Sequence, residues 1–190
     1  MNRGILLVIS APSGCGKDTV INDLLEMDDS FCYSVSATTR KKRRNEIEGV
    51  SYFFVSKEKF EEMIPGKKVL EYAKYCGEDY GTPKDYVEKK LDEGKNVILK
   101  IETEGMKNIK TLYPEAVTVF IAPPDMKTLR SRLMSRGTES EEVINKRLKR
   151  AEEEMACAPF YDYKVYNYDN RAKDAAKEII KIVNAVKSAM

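Results

Sequence analysis

A short segment near the N-terminus carries the residue types that bind phosphate. It reads "SAPSGCGKDTV" from residue 10 to residue 20 and nearly follows the pattern G-x-x-x-x-G-K-[ST]. In that pattern, backbone N–H groups wrap the phosphates of a nucleotide, the lysine reaches the terminal phosphates and the hydroxyl holds magnesium. Gly14 and Gly16 supply the conformational freedom for such a loop, and Lys17 supplies the positive charge. The spacing predicts a phosphate-binding loop, the alternative being a glycine-containing turn with a surface lysine.

Two positions of this segment depart from the pattern. Ala11 replaces the first glycine, which is tolerated if its backbone angles are ordinary. Asp18 replaces the hydroxyl residue that follows the lysine. A carboxylate beside a triphosphate costs about 4 kcal/mol per unit charge at close range. A working site therefore needs a cation next to Asp18.

The composition narrows the chemistry and the partners. This chain of 190 residues contains no histidine, which removes Ser-His and Cys-His nucleophilic catalysis. Its four cysteines lack C-x-x-C spacing, so a zinc site or a disulfide framework is not expected and the cytoplasm fits best. A net charge of +2 does not favour nucleic acid as a partner. The apolar runs are too short to cross a membrane, so we expect no membrane association.

Alternating strands and helices position the loop. Short runs rich in Ile, Leu and Val predict buried strands at residues 4–10, 95–101 and 116–122, with a later strand at 162–168. Helical spacing of apolar residues predicts helices at 17–27, 104–114, 139–155 and 171–189, and another between Pro124 and Gly137. Thr82 and Pro83 predict the N-cap and the first residue of one more helix. This alternation predicts an α/β fold with a parallel sheet flanked by helices.

The segment between residues 33 and 82 has a different character. Its strand-like runs are short, mixed with polar and aromatic residues, and closely linked. We therefore expect a single domain over residues 1–190 with three sub-regions. These are a core (1–32, 83–124 and 160–190), a small mixed β insertion (33–82) and a helical lid (125–159).

Further segments match one family, in order and at its spacing. They are "SVSATTRKKRRNEIEGVSYFFVS", "LEYAKYCGEDYGTP", "IETEG", "FIAPPDMKTLRSRLMSRGTESEEVINKRL" and "YDYKVYN". Together with the loop they resemble the guanylate kinases over nearly the whole chain. The resemblance implies a phosphate-loop kinase core and transfer of the γ-phosphoryl group of ATP, with Mg²⁺, to GMP and dGMP. It also implies ATP and GMP as small-molecule partners of a monomer or a homodimer.

The resemblance assigns the GMP site to the insertion. Arg40 and Arg43 match the family's pair that grips the GMP phosphate, for which guanidinium forks are well suited. Glu71 matches the glutamate that reads guanine, because a carboxylate can accept from the neighbouring N1–H and N2–H₂ donors together. The remaining expected GMP-binding residues are Ser36, Tyr52, Tyr80, Thr82 and Glu102.

The resemblance assigns the ATP site to the loop and the lid. Arg132, Arg136 and Arg147 match lid arginines that close over the ATP phosphates and neutralise charge in the transition state. With Lys17 and Arg40 they are the expected catalytic residues. The expected ATP-binding residues are Ala11, Pro12, Ser13, Gly14, Cys15, Gly16, Lys17, Asp18, Thr19 and Asn167.

Two departures from the family can be interpreted as one exchange. The family usually carries two acidic residues on its third strand, where this chain has "LKIETEG". Glu102 keeps the second acid, and Lys100 replaces the first. Because the end of this strand faces the loop across the magnesium in phosphate-loop enzymes, we expect Lys100 beside Asp18. Asp18 is then the ion-pair partner of Lys100, which we favour, or a magnesium ligand.

Two other functions stay open on the sequence alone. One is a non-catalytic binding module of the same fold, which the presence of Lys17, Arg132 and Arg136 disfavours. The other is a kinase of the same fold with another phosphorylated acceptor. Glu71 and Thr82 argue for guanine over a sugar in that comparison.

Overall fold

The computed structural model describes residues 3–135 and 140–190. The strands are β1 (Leu6–Ser10), β2 (Phe31–Tyr33), β3 (Ala37–Thr38), β4 (Phe53–Phe54), β5 (Val69–Tyr75), β6 (Glu78–Pro83), β7 (Asn96–Lys100), β8 (Val117–Ala122) and β9 (Tyr163–Tyr166). The helices are α1 (Lys17–Met27), α2 (Lys57–Met63), α3 (Lys84–Asp92), α4 (Thr103–Leu112), α5 (Met126–Ser135), α6 (Glu141–Met155) and α7 (Ala172–Ala189).

The central sheet is parallel and has the strand order β2-β7-β1-β8-β9. A second sheet has the order β4-β3-β6-β5, in which β3 and β4 pair in parallel and the other pairs are antiparallel. The predicted fold class, a parallel sheet flanked by helices with a small mixed sheet, is therefore confirmed. Parallel strands end at a common edge, so the residues that follow β1 and β7 are brought together there.

Helices cover both faces of the central sheet. Leu7 and Ile9 of β1 pack in one cluster with buried residues of α1 and α7, whereas Leu6 and Val8 pack in another with buried residues of α3 and α4. Successive strand side chains point to opposite faces, so a strand covered on both faces needs an unbroken apolar run. That requirement explains why the sequence showed these strands so clearly.

The start of α3 differs from the sequence expectation. Thr82 and Pro83 were expected to open the helix, but both lie in β6, and α3 begins at Lys84 with Pro83 as its N-cap. The Thr82 hydroxyl does not cap the helix, because it donates to a Glu71 carboxylate oxygen at 2.7 Å. The prediction of the helix start was wrong by one residue, since the Thr82 side chain that local rules assigned to the cap forms a tertiary hydrogen bond instead.

A buried asparagine joins β7 to the strand beside it. Asn96 accepts from the Ile5 backbone N–H at 3.1 Å and donates to the Ser30 hydroxyl at 3.1 Å. Asn96→Ala should lower the free energy of unfolding by about 1–3 kcal/mol, because the buried Ile5 N–H loses its partner. Urea denaturation measures this loss. Asn184→Ala, at an exposed position of α7, is the control and should change stability by less than about 0.5 kcal/mol; equal effects would contradict the assignment.

No helix within residues 3–135 and 140–190 combines the length and the apolar character needed to span a membrane.

Candidate functional site

The loop between β1 and α1 has the backbone of an anion site. Gly14 and Gly16 have φ angles of 88° and 83°, which favour glycine. A Cβ atom on Gly16 would lie 2.7 Å from Asn167 Nδ2, so this position also needs a small residue. Ala11 is not among the described residues with positive φ, which agrees with the expectation that it is a tolerated variant. The loop therefore leads into the N-terminus of α1, whose first backbone N–H groups favour an anion.

Cys15 is fully buried beneath the loop. Its thiol donates to the Ile121 carbonyl oxygen at 3.5 Å, and burial raises its pKa to about 12. The thiol is therefore not a nucleophile. Cys15 contributes to the site through its backbone, whose carbonyl oxygen accepts from Asn167 Nδ2 at 2.8 Å and from Arg132 Nη1 at 3.2 Å.

The loop forms one wall of a first cavity of about 740 Å³. Arg147 of α6 also lines this cavity and donates to the Ser13 hydroxyl at 2.6 Å. Of the predicted ATP-binding set, the residues that line it are Ala11, Pro12, Ser13, Gly14, Gly16, Lys17, Asp18 and Thr19. The first cavity thus gathers most of the predicted ATP-binding residues.

Arg132 lies against the outside of the loop. Besides its contact with Cys15, it donates to the Asn167 carbonyl oxygen at 2.8 Å and pairs with Asp169 at 2.7 Å. Asn167 Oδ1 is buried and has no hydrogen-bond partner among the described residues. The contacts of Arg132 and Asn167 with ATP stay predictions, and the predicted site residue Arg136 lies outside the described residues.

A second cavity of about 920 Å³ lies between the two sheets. Of the predicted GMP-binding set, the residues that line it are Ser36, Tyr52, Glu71, Tyr80, Thr82 and Glu102. Tyr52 and Tyr80 contact each other with ring centroids 5.9 Å apart. The second cavity therefore gathers both predicted phenol donors and the predicted guanine reader.

Glu46 organises the two predicted phosphate-binding arginines. Its carboxylate pairs with the Arg40 guanidinium at 2.6 Å and accepts from the Arg43 backbone N–H at 2.7 Å. Arg40 also lies over the rings of Tyr52, at 5.4 Å, and Phe54, at 5.9 Å. Sequence reasoning missed Glu46, although its acidic side chain two residues after a basic run was a signal of local pairing.

Glu71 is a half-buried carboxylate in the second cavity. Burial raises its pKa, and the hydrogen bond from Thr82 opposes that shift. Thr82 occupies Oε1, and a Cβ atom on Gly105 would lie 3.5 Å from Oε2. The hydrogen bond from Thr82 thus fixes one carboxylate oxygen of Glu71. The negative charge of this half-buried group is only weakly stabilised before a ligand binds.

The two cavities share a seam at the carboxyl end of β7. The residues that line both are Asp18, Lys100, Ile101, Glu102, Glu104 and Arg150. At this seam Lys100 Nζ donates to Asp18 Oδ1 at 2.9 Å, so the predicted ion pair is confirmed. The pKa of the nearby Lys17 ammonium is lowered, first by burial and then by Lys100.

Arg150 is a seam residue that sequence reasoning missed. It donates to both carboxylate oxygens of Glu102 at 3.1 Å and pairs with Glu154 at 3.2 Å. Glu102 was expected beside the exocyclic amine of guanine, but its carboxylate is bound to Arg150 of helix α6 in this structure. The signal for Arg150 was its spacing of three residues from Arg147, which places both on one face of a helix.

The described residues do not form a resident magnesium site. Within residues 3–135 and 140–190, no group of three or more Asp, Glu, His or Cys side chains is arranged to hold a metal ion. Asp18, the candidate ligand, has one oxygen bound to Lys100, and Glu102 is bound to Arg150. Mg²⁺ commonly keeps several waters and binds substrate phosphates. The donor set therefore fits a metal that arrives with a nucleotide better than one that the protein holds.

Comparisons with known proteins agree on one family. A family model described as guanylate kinase matches residues 3–186. A guanylate kinase of Bacillus cereus is 52% identical over 166 residues, which are 87% of this chain and 81% of that protein. One of Clostridioides difficile is 47% identical over 188 residues, or 99% of this chain and 91% of that protein. A crystal structure of guanylate kinase from Anaplasma phagocytophilum has a TM-score of 0.70 at 33% identity, covering 97% of this chain and 86% of that one.

Proposed function

This chain belongs to the guanylate kinase family, and from that premise we propose how its two cavities perform phosphoryl transfer from ATP to GMP, giving ADP and GDP. The supporting observation is the seam. The cavity of the phosphate loop and the cavity of Glu71 open onto the same residues at the end of β7. A donor in the first and an acceptor in the second would have their phosphates facing each other there.

The transfer needs positioning and charge neutralisation, but no strong base. An oxygen of the GMP phosphate attacks the γ-phosphorus of ATP in line, forming a new P–O bond. The bond from this phosphorus to the bridging oxygen breaks, and ADP leaves with the electron pair. The attacking phosphate is already deprotonated, so no proton has to be removed, which suits a chain without histidine.

The donor phosphates are bound by the loop backbone and by Lys17. Arg147 lies in the same cavity, and Arg132 and Arg136 belong to the proposed lid at residues 125–159. Closure of the lid brings arginine charge onto the phosphates and excludes water, which prevents hydrolysis of ATP. The ATP phosphates and water would hold Mg²⁺ near Asp18, and the ion would neutralise phosphate charge there.

The acceptor is bound by the insertion at residues 33–82. Arg40, Arg43, Tyr52 and Tyr80 hold its phosphate, and Glu71 accepts from the N1–H and N2–H₂ groups of guanine. Adenine presents an acceptor on that edge, so it would leave the Glu71 carboxylate unpaired. dGMP offers the same base edge and phosphate, and we expect it to be an acceptor too.

The two cavities and the cysteines also bear on the oligomeric state and the cellular location. Each chain supplies both cavities, so a monomer suffices for catalysis, and a homodimer would contain two complete sites. The four cysteines are unpaired, and ATP and GMP are intracellular metabolites. We therefore place the protein in the cytoplasm.

A coupled assay of ADP release tests this function. Separate reactions contain GMP, dGMP, AMP, a phosphorylated sugar or no acceptor, each with and without magnesium. We expect turnover with GMP and dGMP, and at most about 1% of that rate with AMP, because the site is built to bind the donors of guanine. GMP binding without turnover would favour a non-catalytic module, and turnover with the sugar phosphate would favour another acceptor.

A further inference from the structure

Two ammonium groups lie close together at the seam between the cavities. Lys17 belongs to the first cavity, and Lys100 lines both. Their mutual repulsion is strong enough that Lys100 is the second-largest cause, after burial, of the lowered pKa of Lys17. An anion between them would relieve this repulsion, so the seam favours a highly charged ligand.

Lys100 is held in place by two neighbours. Its Nζ bonds to Asp18 Oδ1 at 2.9 Å and lies 5.8 Å from the centre of the Tyr33 ring. Burial alone would lower the pKa of Lys100, but Tyr33 and Asp18 outweigh it and raise the pKa, so the side chain is a cation at neutral pH. A cation whose direction is fixed before the ligand arrives costs no reorganisation during the reaction.

The ion pair by itself does not explain this placement. The Asp18 side chain is 76% exposed and that of Lys100 is 38% exposed. A pair this accessible contributes little to stability, because water screens both charges. Asp18 takes one of the three N–H donors of the Lys100 ammonium, and a side-chain hydrogen bond with Tyr33 takes another. That leaves one donor for a ligand, at the position where the two cavities meet.

Other cations at the seam are more strongly committed. Arg150 is bound to Glu102 through both carboxylate oxygens and to Glu154. Of the two described cations that line both cavities, Lys100 pairs with one carboxylate and Arg150 with two.

We propose that Lys100 is a catalytic residue whose ammonium group contacts the phosphoryl group passing between the two nucleotides. This inference rests on the proposed function, since it assigns a contact within that reaction. Negative charge spreads over the oxygens of the transferred group in the transition state, and a fixed ammonium stabilises it there. Lys100 stays protonated throughout and takes part in no bond exchange. Asp18 is then a positioning residue that acts through Lys100.

The test compares Lys100→Met with a matched lysine outside both cavities. Lys107→Met is the control, because Lys107 is an exposed lysine of α4 that also lies over an aromatic ring, that of Phe160. Lys100→Met should lower kcat by about 100-fold, while the Kd for GMP changes less than about threefold. Lys100→Arg keeps the charge and should recover part of the loss. Lys107→Met should retain wild-type kcat.

A binding measurement accompanies the kinetics. Calorimetry with ATP in EDTA should show affinity about tenfold weaker in Lys100→Met than in wild type, since the metal-free triphosphate depends on protein cations. Lys100→Gln keeps a donor for Asp18 and should lose as much kcat as Lys100→Met. If Lys100→Met or Lys100→Gln keeps kcat within threefold of wild type, the proposal is overturned.

The two proposals fail in different ways. If wild type forms no GDP from GMP, the proposed function is wrong. Calorimetry with metal-free ATP still tests whether Lys100 contacts the phosphates. Equal ATP affinity in wild type and Lys100→Met would then refute a contact between Lys100 and the phosphates. If wild type is active and Lys100→Met is unimpaired, the function stands and only the assignment of Lys100 falls.

Discussion

Lys17→Met should lower kcat for GMP phosphorylation by about 1,000-fold, the scale of losing a principal charge contact in phosphoryl transfer. Lys17 is the first residue of α1 and follows Gly16, whose positive φ turns the chain into the helix. Its ammonium is largely desolvated and faces a second cation, so its pKa is lowered. Such a charge is costly without a phosphate, and it contributes most when the γ-phosphoryl group carries its greatest negative charge.

Three measurements isolate this effect. Steady-state kinetics give kcat, a thermal melt checks the fold, and calorimetry gives the Kd for GMP, which should change less than about threefold because Lys17 lies in the other cavity. Lys177→Met, at an exposed position of α7, is the control. A loss of less than tenfold in a folded Lys17→Met variant would show that the loop does not bind the transferred phosphate.

Topology made the Asp18–Lys100 pair predictable across 82 positions of sequence. Lys100 is the last residue of β7 and Asp18 lies in α1 just after the loop that follows β1, and the carboxyl ends of parallel strands meet at one edge of the sheet. The buried strands themselves were predictable because two covered faces require continuous apolar runs, as in "LLVIS" of β1. The apolar runs and the order of strands and helices can both be recognised in the sequence, so these features were predictable.

The partners of other side chains had no local signal in the sequence. Arg132 binds the carbonyl oxygen of Cys15, 117 positions away, and Arg150 binds Glu102 across 48 positions. Charged side chains on helix faces usually point into solvent, so the contact of Arg150 with Glu102 does not follow from its place on α6. Thr82 shows the converse, since a strong local N-cap signal lost to a tertiary hydrogen bond with Glu71. Side-chain partners across elements depend on the packed fold and not on spacing.

Glu71→Gln should lower kcat/KM for GMP by about 1,000-fold. A site that accepts hydrogen bonds from the N–H donors of guanine loses much transition-state binding energy when one donor is left unpaired. A carboxylate accepts from N1–H and N2–H₂ together, whereas the glutamine amide would direct its own NH₂ group at one of them. Thr82 already donates to Oε1, so the side chain at position 71 cannot rotate freely to relieve this mismatch. Glu62→Gln, at an exposed position of α2, is the matched control and should retain wild-type kcat/KM.

The pH profile gives this assignment a second readout. Burial raises the pKa of Glu71 in the free protein, so its ionised fraction falls as the pH drops through that raised value. Only the carboxylate accepts both guanine donors, and GMP therefore favours ionisation and binds more weakly in acid. The KM for GMP should rise as the pH falls from neutral in wild type, and in Glu71→Gln it should be high and rise less steeply, because only the protonation of the GMP phosphate remains. A Glu71→Gln variant with wild-type KM and an unchanged acid limb would assign guanine recognition to another group in the cavity.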